Sequence, residues 1–289
     1  GQEFSGFASQ LHHAEERLHR ALHTLSELPI GGTAVGTGIN AHEQFGSLVS
    51  AELSTRLGIH FREAANHFEA QAAKDAIVET SGILKTLAVS LSKIANDIRW
   101  LGSGPRCGIG ELVLPAVQPG SSIMPGKTNP VICESLIMVC CSVIGNDAAV
   151  TLGGFGGVGS LLDLNAAMPM MTPPLLDSIT LLSRACDMFT ENLLKGPGAG
   201  LQPDEARCKG LIEGSLAMCT SLVPVIGYDK SAALAKDAFK QGKTVRQLAY
   251  ETVVGQKDNS GTLITKDAID HYLDPWSMTL PGGEGSAGG

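Results

Sequence analysis

At 289 residues the chain is long enough to bury a large core, in one large or two smaller domains. Its hydrophobic content of 43% includes no uninterrupted apolar run of bilayer length, which argues for a soluble globular protein. A formal charge of −8 lacks the basic surface that nucleic acid and anionic membranes require, so neither is expected as a partner.

The N-terminal Gly-Gln-Glu-Phe-Ser-Gly has neither the basic region nor the apolar core of a signal peptide, and it has no starting Met, so the true beginning is expected upstream. Residues 2–28 carry Leu11, Leu18, Leu22 and Leu25 at helical spacing and predict an amphipathic helix. His12, His13, His19 and His23 lie on it, three of them near one face. With no acidic residue in a known ligand motif beside them, they read as solvated or interface histidines and no metal is predicted. The Gly-rich segment Ile30 to Asn40 reads as a loop between helices, and a role in lining a site stays open beside that structural one.

Helices are predicted over residues 42–57 and 62–71, and then over a longer stretch. Ile77, Leu84, Leu87, Leu91, Ile94, Ile98 and Leu101 form the seam of a bundle helix that Gly102-Ser-Gly-Pro105 stops. This seam predicts self-association through the helix from Lys74 to Leu101. Further helices are predicted over residues 130–152, 175–194 and 203–222, with the prolines of Met168 to Pro174 expected to lie outside them. Shorter helices follow over residues 230–241, 244–253 and 265–273. The fold class is therefore all-α: a bundle of long helices over residues 1–223, a small helical domain over 224–280 and a disordered Gly-rich tail over 281–289. The seven Cys are odd in number and scattered, with no Cys-x-x-Cys. They suit a reducing cytoplasm or mitochondrial matrix rather than a disulfide framework or zinc site.

Two motifs mimic nucleotide sites. Gly126-Lys127-Thr128 ends like a phosphate-binding loop, but the Gly required at position 121 is Ser. Gly154-Phe-Gly156-Gly-Val-Gly159 has dinucleotide-binding spacing, yet no βαβ unit surrounds it, and Pro169, Pro173 and Pro174 stand where its helix should run. No cofactor is predicted from either.

The stretch with the densest polar chemistry is Gly120 to Pro130, Gly-Ser-Ser-Ile-Met-Pro-Gly-Lys-Thr-Asn-Pro. Two Gly and two Pro in eleven positions make it a shaped loop, a common setting for binding groups. A serine there is ordinarily a turn hydroxyl. It becomes a base only if its alkoxide is stabilised, for which backbone N–H groups and Lys127 are suitable donors.

This loop resembles the signature of the fumarase/aspartase superfamily, and within it class II fumarate hydratases, with similarity extending from Gly1 to about Pro281. The resemblance implies reversible hydration of fumarate to L-malate, without cofactor, in a homotetramer whose sites are each composed from three subunits. It implies that Ser121 is the base, that Ser122, Lys127, Thr128 and Asn129 bind the dicarboxylate substrate, and that Glu134 supports the catalytic His. That His stands in a family Thr-His motif preceding the segment that begins here with Gly1, so an N-terminal domain is expected to be missing and the chain to be inactive alone. Leu162-Asp-Leu-Asn165 replaces the family's Phe-Glu-Leu-Asn, and Met168 replaces an Arg. Aspartate ammonia-lyase is the enzymatic alternative, although Gly126 and Gly227-Tyr-Asp-Lys230 look more like fumarase. A non-catalytic helical oligomerisation fragment is the other.

Overall fold

A computed structural model describes residues 1–120, 123–124 and 126–281, and the chain divides into two compact units, Gly1–Gln202 and Pro203–Gly289. The first unit is built on four long helices: α1 (Gln2–Leu25), α4 (Asp75–Leu101), α5 (Val131–Gly154) and α6 (Met168–Phe189). Two shorter ones, α2 (Phe45–Leu57) and α3 (His67–Ala72), lie between α1 and α4. The all-α class expected from the sequence holds, since the strands are only two-residue bridges. Glu27–Leu28 pairs in parallel with Arg62–Glu63, and Ser160–Leu161 folds back on Leu164–Asn165.

The seam of α4 becomes the centre of the core. Leu84, Leu91, Ile94 and Ile98 are buried with Ala88 and Ala95, against Cys133, Leu136, Cys140 and Val143 of α5 and Leu175 and Leu182 of α6. That seam is largely consumed inside the chain, while Leu87 borders an open apolar groove and Val89 and Trp100 of the same helix remain exposed. Successive long helices run in opposite directions. Thr24 Oγ1 near the end of α1 donates to Glu79 at the start of α4 (3.0 Å), and Lys93 near the end of α4 lies over Phe7 at 4.6 Å.

Three sequence expectations are corrected. On α1 the buried residues are Phe7, Ala14 and Ala21, whereas Leu11 and Leu22 are exposed. Small side chains let α1 approach α4 closely, and of the leucine stripe Leu18 packs against this core. The helix expected over 62–71 is instead a strand bridge followed by α3, whose cap is Asn66 accepting from Glu69 N–H. Helix α6 starts at Met168 and runs through Pro173 and Pro174. Pro169 occupies its first turn, where a missing N–H costs nothing, and the two inner prolines forgo their bonds while the helix stays packed through Met171 and Leu175. After Phe189 the chain widens into a π turn over Thr190–Leu194.

Helix α5 departs from the composition reading in another way. By length and apolarity it could cross a bilayer, yet it carries the buried Asp147, to which Ser81 and Lys85 of α4 both donate. Its place is in the bundle, with only about a third of its most apolar stretch buried within the chain.

The second unit contains α7 (Glu205–Glu213), α8 (Val223–Ile226), α9 (Tyr228–Gln241), α10 (Val245–Thr252) and α11 (Lys266–Tyr272). Thr244 and Thr265 cap α10 and α11 with their hydroxyls, Thr244 in a full capping box with Gln247. The segment predicted as one helix over 203–222 is α7 followed by a 3-10 turn, Leu216–Leu222. Met218 and Leu222 of that turn pack with Leu234, Leu248 and Ile269, so this stretch belongs to the second core. The partition accordingly falls after Gln202, where the sequence suggested residue 224. The tail over 282–289 lies outside the described residues.

Candidate active site

The Gly120–Pro130 loop connects the segment after α4 to the first turn of α5. Its base is closed by backbone contact: a Cβ at Gly120 would stand 1.3 Å from the Lys127 carbonyl oxygen, so only glycine fits. Near its tip Lys127 N–H donates to the Met124 carbonyl (3.2 Å), with Gly126 at φ +79°, a backbone that glycine adopts without strain. Ile123 and Met124 are exposed. Ser121 and Ser122, predicted as base and substrate ligand, lie outside the described residues.

The other four predicted residues come together at one end of α5. Lys127 and Thr128 are exposed, and Asn129 is half-buried just before Pro130, the residue preceding the helix. Glu134 is half-buried in the first turn, its N–H donating to the Pro130 carbonyl (3.0 Å). Lys127 and the positive end of α5 make this a locally electropositive spot on an acidic chain, suited to a carboxylate. Asn129 adds a directional donor.

The sequence reading missed Arg99, in the last turn of α4. It bonds to Asn96 Oδ1 (2.8 Å) and exerts an attraction on Cys133 beside Glu134, which places a second cation near the start of α5. Its mark in the sequence is no more than a basic residue at the end of a predicted helix, and its place opposite the start of α5 arises only on folding. Cys133 itself offers no nucleophile: burial pushes its thiol up to about 11, the Arg99 charge notwithstanding.

Other candidates stay apart from this end. The Gly-rich loop 30–40 sits by α3, held by His67 Nε2 at the Ile30 carbonyl (3.1 Å) and by Gln71 Nε2 donating to the Thr33 carbonyl (3.0 Å). That is the start of α4, roughly 40 Å along the helix from its Arg99 end. The α1 histidines are exposed, with His12, His13 and His19 paired loosely with Glu15 or Glu16, and no group of three metal-ligating side chains occurs among the described residues. Gly154 to Gly159 ends α5 and enters the 160–165 hairpin, so no helix starts on it. That placement, rather than the prolines of α6, removes the dinucleotide reading.

A family described as lyase matches residues 1–145, which include α1, the loop and most of α5, and a family described as fumarase C C-terminus matches residues 218–280. The chain belongs to this lyase family. It is 53% identical over 251 residues to the class II fumarate hydratase of Thermosynechococcus vestitus, covering 87% of this chain and 52% of that one. To the class II fumarate hydratase of Neisseria meningitidis it is 46% identical over 281 residues, covering 97% and 57%. Among solved structures, the class II fumarase of Schistosoma mansoni superposes with a TM-score of 0.86 at 34% identity, covering 98% of this chain and 59% of that one. The fumarate lyase:delta crystallin of Brucella melitensis gives 0.86 at 43% identity, covering 97% and 57%. The chain thus spans a little over half the length of the relatives it matches.

Proposed function

We propose that this lyase chain forms part of a class II fumarate hydratase, which adds water reversibly to fumarate to give L-malate. The observation that carries this reading is the grouping of Lys127, Thr128, Asn129 and Glu134 where the Gly120-closed loop meets the positive end of α5. In the malate-to-fumarate direction, Ser121 takes a proton from the carbon next to one carboxylate. The electron pair left behind delocalises into that carboxylate, whose growing charge is met by the Lys127 ammonium and the Asn129 amide. The hydroxyl on the neighbouring carbon then leaves, taking a proton from a general acid to depart as water. Ser122 and Thr128 add hydrogen bonds to the dicarboxylate, and Glu134 orients the acid–base partner. That partner comes from elsewhere in the assembly, because no histidine of this chain stands in a Thr-His motif.

The assembly is itself part of the proposal. Met138 and Leu152 leave α5 with exposed apolar surface (64% and 53%), and an apolar groove of about 470 Å³ opens beside Leu22, Leu87 and Ile179 of α1, α4 and α6. Surfaces of this kind call for covering helices, and further copies of the chain are the proposed source. The test is loss of the fumarate absorbance band with the chain alone and with the N-terminal portion of a class II fumarase added in trans. Activity only on complementation supports the proposal. Ammonia release from aspartate would instead favour the ammonia-lyase chemistry, and silence in every arm from a folded oligomer would leave a scaffold.

A further inference from the structure

At the opposite end of the first unit from Lys127 lies a cavity of about 400 Å³, within the range of small-molecule sites. Its walls are mostly apolar, with Leu25, Leu28, Ile77, Met168 and Met171 contributed by four separate segments. Thioethers at two of those positions give a wall that adapts to an alkyl chain.

Two cations line the cavity, and their situations differ. Arg62 is fully engaged: it donates to Glu27 Oε2 (3.1 Å), Ser26 Oγ (2.7 Å) and the His23 carbonyl (3.0 Å). Lys74 Nζ donates to the Ala70 carbonyl (2.8 Å) and the Gln71 carbonyl (3.3 Å), two neutral acceptors for a group with three donors and a full charge. Glu69 attracts it from a distance, and no carboxylate among the described residues comes within 4.0 Å. Burial draws the ammonium below its ordinary pKa, as expected for a charge held in an apolar wall without a counter-ion. An anion is the complement such a group lacks. The lining also includes Glu27, Glu69 and Asp75, whose carboxylates disfavour a second negative charge on the ligand.

We propose that this cavity is a binding site for a small monocarboxylate with a short alkyl body, its carboxylate on Lys74 Nζ and its chain against Ile77 and Met171. The site goes beyond the lyase reading and does not depend on it, since binding is measured without turnover.

The test is isothermal titration of the full chain with butyrate, hexanoate and hexanol. Expected are saturable binding of both acids, about fourfold tighter for each added methylene that enters the cavity, and no measurable binding of hexanol. Lys74→Met removes the charge and Ala70→Leu fills the cavity from α3. Each variant should weaken hexanoate by at least about tenfold while circular dichroism remains unchanged. Should Lys74→Met unfold α3 by removing its carbonyl contacts, the Ala70→Leu variant and the acid-to-alcohol comparison still decide the question. Absence of saturable heat with either acid, equal binding of hexanol, or undiminished binding by folded variants overturns the proposal.

Discussion

Asp147 of α5 receives Lys85 Nζ of α4 at 2.5 Å and Ser81 Oγ at 2.8 Å, beside a largely apolar bundle core. The carboxylate is only 7% exposed, whereas the lysine is 44% exposed and keeps its hydration on one side. Removing the lysine therefore strands a buried charge, while removing both partners does not. Lys85→Met should cost about 2 kcal/mol, below the range for fully buried pairs because solvent screens part of the charge. The double variant Lys85→Met/Asp147→Leu should recover most of that loss. Urea midpoints of the two variants check this, and equal losses in both would show that the pair does not act as a unit.

The closure of the signature loop at Gly120 is just as specific. A methyl group there cannot coexist with the Lys127 carbonyl 1.3 Å away, so Gly120→Ala must open the loop's base. With α5 anchored independently through Leu136, Cys140 and Val143, the fold should survive. In a complemented enzyme the expected result is a fall in turnover of about a hundredfold or more, since displacement of about 1 Å at a reacting centre has that effect. Far-ultraviolet circular dichroism should not change. Turnover near that of the parent would place the loop outside the chemistry.

What could be read in advance was what repeats. The three- and four-residue steps of α4 located the core because Leu84, Leu91, Ile94 and Ile98 mark its buried face with large side chains, and the Gly/Pro punctuation isolated the signature loop. Helix α1 was misread because its buried face is written in Ala14 and Ala21, which carry little hydrophobic signal but allow close packing. The start of α6 was hidden by Pro173 and Pro174, whose lost backbone bonds are outweighed by tertiary packing. Arg99 was invisible for a different reason: its relation to Cys133 and the first turn of α5 exists only once the two helices lie antiparallel. The residues proposed for the site stand close together in sequence, from Gly120 to Glu134, whereas the groups around them come from distant segments.

Thiol chemistry offers a third prediction. Burial pushes Cys133 and Cys140 up to about 11 from an ordinary 9.0, while Cys107 and Cys141 are exposed. At neutral pH iodoacetamide should label Cys107 and Cys141 rapidly and leave Cys133 and Cys140 unmodified, as read by mass spectrometry of the peptides. The raised values also fix a direction with pH. The folded chain holds these two thiols protonated where the unfolded chain ionises, so their contribution is complete below about pH 9 and is lost as pH rises towards 11. Labelling of Cys133 or Cys140 as fast as Cys141 at pH 7 would show that the α4–α5 seam opens freely.

In the second unit Arg246 ties three segments together. Its guanidinium donates to Glu213 (3.1 and 3.2 Å), to Asp270 (2.6 Å) and to the Leu273 carbonyl (2.8 Å), and Tyr250 also donates to Asp270. Arg246→Lys keeps the charge but cannot reproduce the planar fork, so it should still lose about 2 kcal/mol of the second unit's stability. The Tyr250 hydroxyl and Arg246 hold the Asp270 carboxyl below its ordinary range. The carboxylate's contribution is therefore present above about pH 4 and is lost as pH falls through the depressed value. Proteolysis across residues 203–281, followed between pH 7 and pH 3, should show the second unit of the Arg246→Lys variant opening at higher pH than the parent. If both open together, the network does not hold α10 and α11 in place.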